Sequence, residues 1–195
     1  MTKVRVVCGK TLMVAFLFSL TAVVNAATVW TGPVIDFSKA AFADPEDPAN
    51  QDSLSEAASL TRASTRGLYN AAQEPFFQSS GGSPVDTEWA FAGLAGNPDG
   101  MISAEDFESL TFSEWATALG GQGNLANNVV GTSGVLHLIS DDIYLDIVFT
   151  EWGQGGGAGG NFAYSRTSPI PVPAAAWLLG SALGLLGVIR RRRPA

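Results

Sequence analysis

Three stretches carry side chains whose type and spacing could do chemistry. The first is NPDGMISAEDF, Asn97 to Phe107. Aligned to the second half of an EF-hand calcium loop, Asp99 takes position five, Gly100 six, Ile102 eight, Ser103 nine and Asp106 twelve. Position one then falls on Ala95, which has no oxygen to offer, and Asp106 is a methylene shorter than the usual bidentate glutamate. A turn followed by a segment capped by Ser103 accounts for the same residues. The second stretch holds Asp141, Asp142 and Asp146. On one strand, Asp142 and Asp146 share a face but stand about 13 Å apart, so they reach one ion only across a bend. Asp141 and Asp142 at a strand junction could join loop carbonyls around calcium, and aspartates also serve turns by bonding their own backbone. Asp99, Asp141 and Asp142 are therefore the calcium candidates, and no other cofactor is expected.

The third set is His137 and the tryptophans. His137 is the only histidine, and no nucleophile elbow accompanies it, so no catalytic residue is assigned and a non-enzymatic role is expected. Trp30, Trp89, Trp115 and Trp152 have two readings, a hydrophobic core or a platform on which sugar rings stack. Aromatics among carboxylates keep a carbohydrate-binding module, or a small glycan-active enzyme with paired carboxylates, as the alternative.

These residues must be positioned by β-strands. Val135 to Trp152 alternates strictly: Ile143, Leu145, Ile147 and Phe149 on one face, Tyr144, Asp146, Val148 and Thr150 on the other. Ser140-Asp141-Asp142 interrupts the pattern and predicts a hairpin or bend. Phe162, Tyr164 and Arg166 share a face of a last strand, reached through a flexible Gly153–Gly160 connection. Thr87 to Gly93 reads as a half-buried strand, and Ala27 to Phe37 as two short strands or one kinked edge strand broken at Gly32-Pro33. Leu60 to Tyr69 is β-tolerant with a glycine break, and Ala43 to Ser55 is an acidic, turn-rich loop. Leu110 to Leu119 fits either a strand or a short helix capped by Ser113. Long helical periodicity is missing. The expectation is an all-β, antiparallel sandwich, jelly-roll-like, over residues 27–168.

Charge narrows the partners. All 18 acidic residues lie in this body, against four basic ones, Lys39, Arg62, Arg66 and Arg166, a net charge of −14 where the whole chain carries −7. Phosphate backbones require Lys and Arg, so nucleic acid is excluded as a partner. Anionic membrane surfaces are disfavoured for the same reason. Solubility outside a cell and capture of divalent cations both suit such a charge.

The two ends supply addresses. Lys3, Arg5 and Lys10 precede the apolar run Leu12–Val24, and Val24-Asn25-Ala26 offers a cleavage site between Ala26 and Ala27. This is the pattern of a secretory signal peptide over residues 1–26, to be removed by signal peptidase. Cys8, the only cysteine, leaves with it, so no internal disulfide can form. At the other end Pro171 and Pro173 favour extended backbone. An uncharged stretch of about 24 Å, Ala174–Ile189, follows, a little short of a hydrocarbon core of about 30 Å. Arg190, Arg191, Arg192 and Arg193 then stop transfer and stay inside. Gly180 and Gly184, with Ala176, form a small-residue step suited to close helix contact.

Ile170-Pro171-Val172-Pro173, AAAWLLGSALGLLG and the arginine cluster together resemble the PEP-CTERM sorting domain of Gram-negative bacteria. Ile170 and Val172 stand where the namesake box has Val and Glu. The resemblance covers residues 169–195. It implies a single C-terminal transmembrane helix and an exosortase-like membrane protease that engages Pro171-Val172-Pro173. It also implies transient anchoring in the inner membrane, then release to the cell surface or extracellular space, where exopolysaccharide matrix or biofilm is the setting. The body stretches HLISDDIYLDIVFTEW, GGGAGGNFAYSR and TRASTRGLYNAAQE resemble a recurrent secreted β domain without a defined activity. Together these readings point to a structural or adhesive protein.

Overall fold

The computed structural model describes residues 27–78 and 82–170. Nine strands carry the body: β1 Thr28–Trp30, β2 Ile35–Lys39, β3 Asp52–Ser53, β4 Ser59–Arg62, β5 Leu68–Asn70, β6 Thr87–Phe91, β7 Ser133–Leu138, β8 Ile143–Trp152 and β9 Phe162–Arg166. Two four-residue helices, α1 Trp115–Ala118 and α2 Leu125–Asn128, and three short 3-10 segments complete it among the described residues. The architecture is all-β and mainly antiparallel.

The larger sheet has six strands in the order β2-β9-β8-β7-β6, with β1 pairing parallel to the start of β8. The smaller is the meander β3-β4-β5. β6 to β9 run as a second meander, whereas a jelly roll needs two Greek keys. That part of the expectation is corrected: β6, β7, β8 and β9 each pair with their successor in sequence, β7 and β8 through the short turn Ile139–Asp142 and β6 and β7 across a long connection that carries both helices. β8 is long because one of its edges serves two neighbours while β7 takes the other. Its first residues pair with β1 and its last with β9, with a bulge between Phe149 and Glu151.

Period-two alternation decides which side chains meet. Trp89, Phe91, Leu136, Leu138, Leu145, Ile147, Phe149, Phe162 and Tyr164 all face the smaller sheet, where Leu54, Leu60 and Leu68 complete one core. Trp115, Leu119 and Val129 close its end. Trp89 and Trp115 lie edge to face at 4.7 Å. Each buries roughly 200 Å², a gross stabilisation of about 5 kcal/mol per ring. The opposite face of the large sheet presents Ala90 and Val135 to Ile102 and Ala104 from the loop before α1.

Gly32-Pro33 separates β1 from β2, so the first stretch is two strands. The stretch around Ser113 combines both expectations. Ser113 bridges Trp89 through backbone bonds, and the helix starts two residues later. Ser113 is not its cap: the cap position is Glu114, without a side-chain bond. The glycine connection is also more ordered in its packing than a free linker. Gly160 sits at φ +69° against Ala63, where a Cβ would overlap the Ala63 carbonyl oxygen. Phe42 N–H donates to the Gly159 carbonyl at 2.8 Å. The loop therefore docks β9 onto the loop that joins β4 to β5.

Candidate functional site: an arginine–tryptophan pocket

The calcium candidates are dispersed. Asp99 lies over Gly93, whose added Cβ would stand 2.7 Å from Oδ1. Asp141 accepts the Ser55 hydroxyl at 2.5 Å. Asp142, at φ +50°, closes the β7–β8 turn and stands 3.4 Å from His137 Nε2. Asp146 accepts the Ala104 amide at 2.6 Å. Asp106 lies in the turn capped by Ser103, whose hydroxyl accepts the Glu105 amide. Among the described residues no three metal-ligating side chains converge. Asp141, Asp142 and Asp146 instead each meet a local partner.

His137 is buried on the outer face of the large sheet. Its Nδ1 meets Glu88 Oε1 at 2.8 Å, and its ring stacks on Tyr144 at 4.0 Å, nearly parallel. Phe112 packs edge-on against both rings. Burial, then the charge of Asp142, raises the Tyr144 phenol pKa. Ser140 Oγ donates to Asp86 Oδ1 at 2.8 Å. The ring contacts and the Glu88 bond explain why a histidine fits this strand.

The tryptophans separate into core and site. Trp30, Trp89 and Trp115 are buried, so a platform of four rings is not what the fold builds. Trp152, at the end of β8, is half-buried and carries the Arg62 guanidinium 3.8 Å above its ring centroid. Arg62 ends β4, in the other sheet. The two sheets thus meet through a cation–π contact, worth about 1–2 kcal/mol when desolvated.

This contact walls a pocket of about 210 Å³. Arg66, Gly67 and Phe77 come from the segment around β5, Trp115, Ala116, Leu125 and Ala126 from the two helices, and Gln122 from the connection between them. Gly67 is required there, since a Cβ would stand 2.8 Å from the Phe77 ring. Arg62 Nε donates to the Arg66 carbonyl at 2.7 Å and Nη1 to the Asn161 carbonyl at 3.2 Å. Nη2 makes no hydrogen bond among the described residues. Burial lowers the Arg62 pKa to about 10, so the group stays charged at neutral pH. Trp115 Nε1 is a buried donor without a partner among the described residues. Lys39 Nζ is another, with 1% of the residue exposed. Burial, then the Arg62 charge, lowers the Lys39 pKa, while Asp44 partly offsets them.

No described protein family, characterised protein or solved structure matches this chain. The site therefore stands on its own geometry.

A wider groove of about 500 Å³ along Gly100–Ser103, Gly131, Ser133 and Val148 offers one carboxylate, Asp146, already occupied by Ala104. Its chemistry is poorer. The remaining cation, Arg166, is sequestered: Nε and Nη2 grip Asp52 at 2.7 and 2.8 Å, and the Tyr164 hydroxyl donates to the same carboxylate at 2.6 Å. Arg62, Arg66, Phe77 and Gln122 were not among the sequence candidates. Their signal was scarcity, since they include two of four cations in a body with 18 acids.

The processing residues mostly fall elsewhere. Ala27 is exposed just before β1, and Ile170 is exposed after β9. Ala26, Pro171, Val172, Pro173 and Arg190–Arg193 lie outside the described residues, as do the signal peptide and the apolar tail. Among the described residues no helix is long and apolar enough to cross a membrane.

Proposed function

We propose that this chain is an exported, exosortase-sorted protein of the cell envelope or exopolysaccharide matrix. Its role is structural or adhesive and non-enzymatic, and its two-sheet body acts as a β-sandwich glycan-binding module. The observation that carries the reading is the Arg62–Trp152 pocket. It is concave, largely apolar, and furnished with a few convergent donors, the general form of a small-ligand site. Its described lining contains no carboxylate, which favours holding a sugar over hydrolysing one, because hydrolysis uses a carboxylate pair. The volume lies below the 300–1,000 Å³ of drug-sized sites, so it suits one residue of a chain.

Export and sorting rest on the signal-peptide pattern and the PEP-CTERM-like tail. Signal peptidase would act after Ala26 and an exosortase-like enzyme near Pro171-Val172-Pro173. The body would then pass from an inner-membrane anchor to the surface or matrix, among biofilm polysaccharide. Two measurements test this. A glycan array probed with the full chain should give binding that Trp152→Ala abolishes; no binding to any glycan would overturn the module. Mass spectrometry of the mature surface form should end near Pro173, and recovery of Trp177 or the arginines would overturn processing.

A further inference from the structure

We infer that the pocket selects a carboxylate-bearing sugar, a lone hexuronate residue in an otherwise neutral glycan, with Arg62 and Arg66 as the anion-binding pair. This rests on the reading of the pocket as a glycan site and specifies its ligand.

The first ground is the distribution of charge. The body carries 18 acids and four cations, and an even scatter would bury every positive group among carboxylates. Among the described residues, only Arg166 forms an arginine or lysine ion pair, with Asp52. Among the described residues Lys39, Arg62 and Arg66 have no carboxylate within salt-bridge distance. Arg62 and Arg66 line the same pocket, and Lys39 is close enough to Arg62 to feel its charge. A buried guanidinium without a counter-ion is costly, and natural proteins pair or neutralise such groups. An anion bound in the pocket supplies the missing partner.

Stereochemistry gives the second ground. Nε and Nη1 of Arg62 are tied to backbone carbonyls, and its plane is stacked on Trp152. The guanidinium is therefore fixed before any ligand arrives, with Nη2 left to donate. A fixed fork recognises planar carboxylates and oxyanions far better than a mobile ammonium does. Arg66, exposed at the rim at φ +87°, supplies the second charge. Trp115 Nε1 is a buried donor on the same lining.

Third, the ligand must be singly charged and partly apolar. A body at −14 repels anions at long range, and a dianionic phosphate meets twice the repulsion of a carboxylate. The rest of the lining, Phe77, Leu125, Ala126 and the Trp152 edge, is apolar. It matches the C–H face of a pyranose ring, while the exposed Gln122 amide can meet a hydroxyl. A small inorganic anion would leave that surface uncovered.

The test uses the full chain, purified in mild detergent, and isothermal titration with methyl galacturonoside and with its methyl ester. The ester removes the single carboxyl charge and adds only a methyl group. Expected is at least tenfold tighter binding of the free acid, equivalent to 1.4 kcal/mol. Arg62→Met should abolish the preference. Because Arg62 also ties β4 to neighbouring loops, Arg66→Met is the companion variant; its side chain is exposed and makes no ion pair, and it should lose about tenfold. Equal binding of acid and ester, lost in Trp152→Ala, would overturn the carboxylate assignment and leave the glycan site standing. Neutral glycans bound on an array with no response to the free galacturonoside would do the same. Absence of binding to every sugar would overturn both.

Discussion

Asp52 is the residue whose removal should cost this fold most. Its carboxylate joins β3 of the small sheet to β9 of the large one. It receives two bonds from Arg166, at 2.7 and 2.8 Å, and one from the Tyr164 hydroxyl at 2.6 Å. The side chains of Arg166 and Asp52 are only 5% and 9% exposed. Burial works against the Arg166 charge, yet the bonds and charge of Asp52 hold its pKa above the ordinary value. Asp52→Ala strands that charge inside the protein. Breaking one side of a buried pair costs about 3–5 kcal/mol, and the orphaned phenol adds about 1 kcal/mol. The sum approaches the lower end of the ~5–15 kcal/mol that holds a domain folded. At about 3 °C per kcal/mol for this size, Tm should fall by about 12–18 °C. The assay is thermal denaturation of the full chain in mild detergent at pH 7, followed by circular dichroism and tryptophan fluorescence. Adding Arg166→Met to Asp52→Ala should recover at least half of the loss, because the stranded charge is gone. A single variant within about 1 kcal/mol of wild type, or a double variant no better than the single, would refute the reasoning.

Three further outcomes follow from buried groups and close backbone contact. Lys39→Met should stabilise by about 1–2 kcal/mol at pH 7, since it removes a buried, unpaired ammonium. The folded pKa of Lys39 is lowered, so wild type loses stability as pH falls from about 10.4 through the folded value; the advantage of Lys39→Met should vanish above about pH 10.5 in pH-resolved melts. Tyr164 has its pKa raised well above the usual value by burial and then by Asp52, so its contribution is complete below about pH 10 and lost as pH rises through the folded value. Tyr164→Phe should cost about 1 kcal/mol at pH 7 and flatten the alkaline limb of the stability profile. Gly160→Ala places a Cβ on the Ala63 carbonyl at a positive φ; chemical denaturation should report a loss of about 3 kcal/mol, and an unchanged midpoint would refute the docking of the glycine loop.

The sequence by itself determined the longer strands of the large sheet and their faces, while β3 at Asp52–Ser53 lies in a stretch that reads as an acidic loop. Alternation over Ile143–Phe149 and Phe162–Arg166 is local, and each residue's side follows from the pleat alone. Burial of the larger aromatics and the all-β class come with it. The turn at Ser140–Asp142 was legible because its aspartates interrupt the alternation. The proposed addresses at the two ends also rest on local patterns. Strand order was not legible: whether hairpins stack as a meander or cross as Greek keys depends on the pairing of β2 with β9, partners more than a hundred residues apart. The same holds for the pocket. Arg62 and Trp152 lie in different sheets, and their 3.8 Å contact exists only once both sheets share a core. Asp52 and Arg166, 114 positions apart, pair for the same reason. In the sequence, Arg62, Arg66 and Arg166 are alike, three guanidinium groups in an acidic chain. Tertiary structure alone decided that Arg166 would be neutralised by Asp52 and that Arg62 and Arg66 would share a pocket without a carboxylate, because charge pairing depends on distance in space and not along the chain.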